Sequence, residues 1–375
     1  MKIAIVSVAP PYRGGISLHS AILYQHLSVN HKVNCYNFSR QYPNFLFPGK
    51  TQLEKGKPAV CIPSDRCIDS INPLTWLATA NKIIRSNPDV VIFRYWNPYF
   101  AILMGMIARK IRRKIKNVQC IALCDNIIPH EKHLVDNILT KFFIKSMESY
   151  IVMSNEVESD LKKFVENPKY AKLYHPVYNV FGDQIKRDEA KYLLGVEKKY
   201  IILYFGYVRE YKGMDILIKA TKILKEKLDN FQIVAVGESY EGEEKYRKLI
   251  SENGVEDEFT WISEYIPDNE VAKFFSASDV VALPYRSATQ SGIVQIAYHF
   301  NKPVVVTNVG GLPEMVSEGK SGFLITPDNP NELANYLFEN LKSDKFSEME
   351  KEVSEYKKRF SWENFVQGFE SLVTE

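Results

Sequence analysis

Short apolar runs alternate with amphipathic stretches along nearly the whole chain, and they do so in two series of equal count. The first series is "IAIVSV" (3–8), "KVNCYNF" (32–38), "DVVIFRYW" (89–96), "VQCIALC" (118–124), "YIVM" (150–153) and "KLYHPVY" (172–178). The second is "YIILYFGYV" (200–208), "FQIVAVG" (231–237), "EFTWIS" (258–263), "VVALPY" (280–285), "PVVVTN" (303–308) and "GFLIT" (322–326). Several are apolar on consecutive residues, the pattern of strands covered on both faces. Between them, segments such as "MDILIKATKILKEKL" (214–228) repeat apolar residues at three and four, which predicts helices. Alternation of this kind predicts an α/β fold with parallel sheets. Two equal series in 375 residues predict two domains.

The rhythm stops at "HPVYNVFGDQIKR" (175–187), where the interdomain linker is expected. The domains are therefore expected at 1–178 and 187–350, with a separate tail at 354–375. The tail stretch "SEYKKRFSWENFVQGFESLV" (354–373) reads as one helix with Trp362, Phe365, Val366 and Phe369 on one side. Residues 39–70 are irregular, with prolines, aromatics and two cysteines. A loop of that length inside a compact domain is expected to be a lid or an acceptor-facing segment.

Bulk properties exclude some classes. The 48 basic and 45 acidic residues leave a net charge of +3, so no global field favours nucleic acid as a partner. The five cysteines are odd in number and sparse, and three lie in or beside apolar runs. Buried reduced thiols and a cytoplasmic location are expected. The first apolar run is too short for a signal peptide. The stretch "YFAILMGMIA" (99–108) is too short to cross a bilayer.

Three places could carry chemistry. In "SVAPPYRGGISLHSAILYQHL" (7–27), Gly14 and Gly15 remove bulk from two successive positions between a strand and a helix. Backbone amides there can approach an anion, favoured by the helix dipole. Neither G-x-G-x-x-G nor G-x-x-x-x-G-K-[ST] is present, and a cramped turn is the alternative. In "LYFGYVREYKGMDILIKA" (203–220), Gly206 ends a strand, and Arg209 and Lys212 follow in the loop. Cations at a strand's carboxyl edge sit where open α/β sheets bind ligands; two solvated loop cations are the plainer reading. In "PYRSATQSGIVQIAYHFNKPVVVTNVGGLPEMV" (284–316), Ser291 is a candidate N-cap and Gly292 leaves first-turn amides open. "NVGGLPE" repeats the device after the next strand. A negatively charged ligand held by both halves accounts for all three. There is no G-x-S-x-G, no H-E-x-x-H and no paired-cysteine metal motif. Such a set suits a reaction whose main demand is stabilising a leaving group.

The stretches "FGYVREYKGMDILIKA", "WISEYIPDNEVAKFFSASDVVALPY", "NKPVVVTNVGGLPEMV", "GKSGFLITPDNP" and "FSWENF" resemble glycosyltransferase family 4, retaining enzymes of the GT-B fold. The resemblance implies two Rossmann-like domains with parallel sheets facing across a cleft, and a C-terminal helix crossing back to the first domain. It implies a nucleotide sugar (a UDP- or GDP-sugar) as donor and the hydroxyl of a glycan or lipid-linked saccharide as acceptor, in cell-surface polysaccharide synthesis. No cofactor and no metal are expected. Gly14 and Gly15 are then the donor-facing turn, and Arg209 and Lys212 the catalytic diphosphate cations. Gly206, Gln290, Ser291, Gly292 and Ile293 are placed at the donor, with Asp125. A GT-B sugar epimerase and a catalytically silent nucleotide-sugar-binding relative remain the alternatives.

The chain departs from the family in two places. The family's paired glutamates are replaced by Ala288 or Thr289 and by Ile296 or Ala297, so donor identity does not carry over; Gln290 and Ser291 offer neutral hydrogen bonds instead. The histidine common near the donor sugar is replaced by Cys124, followed by Asp125 and Asn126, with His130 as its substitute. Arg209 also falls two places later than the family's arginine, while Lys212 keeps the usual spacing.

Arg109, Lys110, Arg112, Arg113, Lys114 and Lys116 form a basic cluster. One reading is a peripheral contact of 109–116 with anionic lipid at the inner face of the membrane. The other is a helix whose last turn suits its dipole.

Overall fold

The structure, a computed structural model, describes residues 1–47, 51–54, 56, 58–129 and 135–374. The chain forms two compact units, Met1–Pro176 with Phe360–Glu375, and Val177–Arg359.

In the first unit the strands are β1 (Lys2–Val6), β2 (Lys32–Arg40), β3 (Asp65–Asp69), β4 (Val90–Tyr95), β5 (Gln119–Cys124), β6 (Ser149–Val152) and β7 (Tyr170–Lys172). They form a parallel sheet in the order β3-β2-β1-β4-β5-β6-β7. The second unit has β8 (Tyr200–Phe205), β9 (Phe231–Val236), β10 (Phe259–Ile262), β11 (Val280–Leu283), β12 (Val304–Thr307) and β13 (Gly322–Ile325). Its order is β10-β9-β8-β11-β12-β13, again all parallel. Both units are Rossmann-like.

The central strands read as apolar runs because both faces are covered: every residue of β4, β9, β11 and β12 is buried. The seventh strand of the first sheet, β3, lies inside the zone expected to be irregular. It is an edge strand, "DRCID", in which only Ile68 is fully buried, so it carries no apolar signature.

Helices close each sheet. Helix Pro73–Ser86 starts where the Asn72 side chain accepts from the Leu74 amide, and it stops at Asn87 in the left-handed region. Helix Met214–Lys225 buries Met214, Leu217, Ile218 and Leu224 on one stripe, which joins the second unit's core. Each such large apolar side chain contributes roughly 1.5–3 kcal/mol. All five cysteines are free, and Cys35, Cys120 and Cys124 are buried.

The tail differs from the single helix expected over 354–373. Helix Lys345–Tyr356 gives way to a 3-10 turn, Lys357–Phe360, and a new helix runs over Trp362–Thr374. Ser361 starts it: its hydroxyl accepts from the Asn364 amide at 3.2 Å and its carbonyl from Phe365 at 3.2 Å. The break coincides with the change of unit at Arg359 and Phe360. Trp362 then packs between His19, with ring centroids 4.8 Å apart, and His26, stacked at 5.2 Å and 8°. Both histidines belong to helix Gly15–Ser28. Glu370 pairs with His31 at 2.8 Å, and Gln119 donates to the Val373 carbonyl at 2.9 Å. Gly368 lets the helix pack close to Leu173, whose side-chain end a methyl group there would displace.

Each sheet reverses its winding between two neighbours, β1 and β4 in the first unit, β8 and β11 in the second. The carboxyl ends of such pairs are where open α/β sheets bind ligands. Gly14 follows β1, Gly206 follows β8 and Gly292 follows β11.

Candidate functional site

In the second unit the chain leaves β8 through Gly206, at φ 109°, a conformation L side chains rarely adopt. A Cβ there would lie 3.4 Å from Lys212 Nζ and 3.3 Å from Ile293 Cδ1. Gly206 thus brings the strand end against the loop cation and the first turn of helix Gly292–His299. Gly213, at φ 67°, packs so closely on the Pro284 carbonyl that no Cβ fits between them. The loops after β8 and β11 are locked together there. Arg286 reinforces the lock with hydrogen bonds to Asp215 at 2.8 and 2.7 Å and to Asp328 at 2.7 Å.

The Lys212 ammonium forms no hydrogen bond or ion pair among the described residues. Its ammonium sits 5.5 Å from the Tyr285 ring centroid. Burial, and then the charge of Arg209, lower its pKa to about 8. A partly desolvated, unneutralised cation is able to take an anionic partner. The Arg209 guanidinium lies 5.2 Å from the Tyr240 ring centroid.

Ser291 occupies the N-cap position but makes no capping hydrogen bond. Its hydroxyl is buried, set beside that of Tyr285 short of hydrogen-bond geometry, and among the described residues neither hydroxyl has a hydrogen-bond partner. The first-turn amides of the helix are therefore left without a side-chain acceptor. Gln295, four residues on and so on the same helix face as Ser291, is fully buried, with both amide atoms unpartnered. Leaving one buried polar group unpaired costs about 1–3 kcal/mol. A polar ligand in contact with this set would offset that cost. Sequence reasoning missed Gln295, although a lone glutamine in the apolar helix "GIVQIAYH" was a usable signal.

It also missed three tyrosines that need the sheet order to be seen. Tyr207, Tyr240 and Tyr265 follow β8, β9 and β10 in turn. The Tyr207 ring stacks on Tyr240 at 4.8 Å and 30°, and on Tyr265 at 6.3 Å and 25°. All three are half-buried, forming a ladder able to take a planar ring.

In the first unit Gly14, at φ 104°, precedes helix Gly15–Ser28, whose first turn has no side-chain cap. Residues 51–54 run beside this loop: Arg13 N donates to Gln52 O at 3.0 Å and Glu54 N to Pro11 O at 2.9 Å. Gln52 in turn exchanges two hydrogen bonds with the Tyr42 backbone, at 3.1 and 3.0 Å. Part of the 39–70 zone thus borders the glycine turn.

Asp125, expected at the donor, is held in a buried ion pair. Arg94 Nε donates to Oδ2 at 2.7 Å and Nη2 to Oδ1 at 2.6 Å, with both side chains buried. Arg94 Nη1 also donates to His19 Nδ1 at 2.6 Å, which places the ring proton on Nε2. His175 lies 4.9 Å from His19, ring to ring. Burial holds His175 down at about 4, and burial together with Arg94 holds His19 well below its usual value. The two histidines are thus buried and neutral, packed beside the Arg94–Asp125 pair. His130 lies outside the described residues.

Among the described residues, no group of three or more His, Cys, Asp or Glu side chains is placed to hold a metal ion. No helix there is long and apolar enough to cross a membrane.

Residues 186–360 match the family Glycosyl transferases group 1. The chain carries a group 1 glycosyltransferase domain. That domain contains Gly206, Arg209, Lys212, Gln290, Ser291, Gly292 and Ile293, whereas Gly14, Gly15 and Asp125 lie outside it. The chain is 24% identical to an uncharacterised glycosyltransferase of Methanocaldococcus jannaschii, aligned over 100% of this chain and 98% of the relative. Its fold is similar to that of sucrose-phosphate synthase from Thermosynechococcus elongatus, with TM-score 0.76, 18% identity and coverage of 99% and 98%. It is also similar to Anabaena HepE in complex with UDP and glucose, with TM-score 0.75, 17% identity and coverage of 100% of both chains. The architecture is that of the GT-B glycosyltransferases.

Proposed function

We propose that the protein is a retaining, family 4 glycosyltransferase that moves a hexose from a UDP-sugar to the hydroxyl of a glycan or lipid-linked acceptor. The observation that carries this reading is Lys212: an unpaired ammonium beside Gly206 and the uncapped first turn of helix Gly292–His299. A diphosphate fits that combination of point charge and open amides. Uridine is favoured over guanosine because a protein of the same fold, Anabaena HepE, is known in complex with UDP.

Departure of UDP builds negative charge on the β-phosphate. Lys212, Arg209 and the first-turn amides are preorganised to stabilise it. In this reading the two cations supply the neutralising charge, and the reaction needs no metal ion. The acceptor hydroxyl attacks from the side on which UDP leaves, and a phosphate oxygen takes its proton. The C–O bond to UDP breaks as the new glycosidic bond forms, with the anomeric configuration kept. Ser291 and Gln295 stand in for the missing glutamates as neutral partners of donor hydroxyls, and the tyrosine ladder stacks on the base.

An acceptor with an apolar part is supported by the first unit's carboxyl edge. There Phe45 is 85% exposed and Leu74 75% exposed, each on a loop or first turn that follows a strand. Such acceptors belong to surface-polysaccharide synthesis at the inner face of a membrane.

The test is thermal protection by UDP, GDP and CMP, followed by UDP release from a panel of UDP-sugars with and without lipid-linked acceptor extracts. Protection by UDP, lost in Lys212→Ala, with acceptor-dependent release and an unchanged anomeric configuration, is expected. No protection by any nucleoside diphosphate, or full turnover by Lys212→Ala, would sink the reading.

A further inference from the structure

At the opposite, amino-terminal edge of the first unit's sheet lies a cavity of about 300 Å³ lined by Arg109, Arg112, Arg113 and Lys116, with Glu148 its one carboxylate. Val118, also in its wall, immediately precedes β5, and Glu148 precedes β6. Helix Ala101–Lys114 and helix Asp136–Ile144 both end there.

Helix dipoles explain only half of this charge. Arg109 donates to Ser146 Oγ at 2.9 Å and to the Phe142 carbonyl at 3.4 Å. Arg112 donates to the Ser146 carbonyl at 3.2 Å and pairs with Glu148 at 2.6 Å. These two cations satisfy the helix-end carbonyls and use the carboxylate. The side chains of Arg113 and Lys116 have no hydrogen bond or ion pair among the described residues. Two like charges lining one pocket raise the local positive potential, which draws an anion there.

We propose that this cavity is a second anion site, which takes a phosphate-bearing group from an anionic lipid headgroup or a soluble phosphorylated ligand. Six residues of β5 separate it from the edge that carries Asp125, a span of about 20 Å. A phosphate held here is therefore distinct from the diphosphate of sugar transfer. A membrane bound through residues 109–116 would meet the amino edge of the sheet, away from the edge bordered by Gly14.

The test compares the wild-type chain, Arg113→Glu/Lys116→Glu and Lys212→Ala. Binding of inorganic pyrophosphate is measured by calorimetry and binding to phosphatidylglycerol vesicles by co-sedimentation. Lys212→Ala removes the seat in the second unit and is expected to keep binding at the cavity. The double variant, at unchanged melting temperature, is expected to bind one or both probes about thirtyfold more weakly. Loss for vesicles alone, or for both probes, assigns the headgroup; loss for pyrophosphate alone assigns a soluble ligand. Equal binding of both probes by wild type and double variant overturns the proposal, and so does a wild type that binds neither. Failure of Lys212→Ala to lose UDP protection bears only on the transfer reading.

Discussion

Arg94 grips Asp125 with two nearly equal hydrogen bonds, 2.7 and 2.6 Å, in the interior of the first unit. Removing one partner strands the other's charge away from water. Asp125→Ala is expected to cost about 3–5 kcal/mol in urea unfolding, and Asp125→Asn less. Affinity for UDP in folded protein should stay within about twofold, since the expected diphosphate seat lies in the other unit. A large loss of UDP affinity at unchanged stability would return Asp125 to the donor site.

Lys212 has the opposite balance. Its ammonium is partly desolvated and unpaired, so the fold gains nothing from its charge. Lys212→Met should raise stability by about 1 kcal/mol while abolishing protection by UDP. A variant that melts lower would mean that the ammonium has an unrecognised structural partner.

The same residue sets an alkaline limit. With its pKa lowered to about 8 in the free enzyme, Lys212 loses its proton as pH rises through that value. kcat/KM for the donor should fall by one proton's slope above about pH 8. kcat should hold to higher pH, because bound diphosphate raises the ammonium's pKa again. For stability the sign is reversed: from about pH 8 up to 10.5 the unfolded chain holds the extra proton, so this residue adds stability as pH rises.

His19 and His175 set an acid limit on the fold. Both are lowered, so between 6.5 and about 4 the unfolded chain binds protons that the native His175 refuses. Stability is expected to fall on acidification through this window, by up to about 1.4 kcal/mol per pH unit for each histidine. His175→Asn, which keeps a donor near the Pro176 carbonyl, should flatten the dependence; urea midpoints at pH 7 and pH 5 would measure it.

The strands most deeply covered were legible from their apolar runs alone, and so were the three glycine turns that close the winding reversals. What escaped needed partners distant in the chain. Arg94 sits inside "DVVIFRYW", and no local pattern reveals that Asp125, 31 residues later, is its counter-ion. The tyrosine ladder exists only because β8, β9 and β10 are neighbours in the sheet. β3 escaped because an edge strand needs little apolar surface. Ser361 did leave a local trace: a serine before an aromatic run is a common N-cap, and it divides the tail.

The return of helix Trp362–Thr374 to the first unit imposes an order on biosynthesis. During translation, every residue of the second unit is joined to the chain before the indole that fills the gap between His19 and His26. The earliest-made half must wait, unfinished, for the last-made helix, so a chain shortened by premature termination keeps an open apolar seam that proteases and chaperones can find.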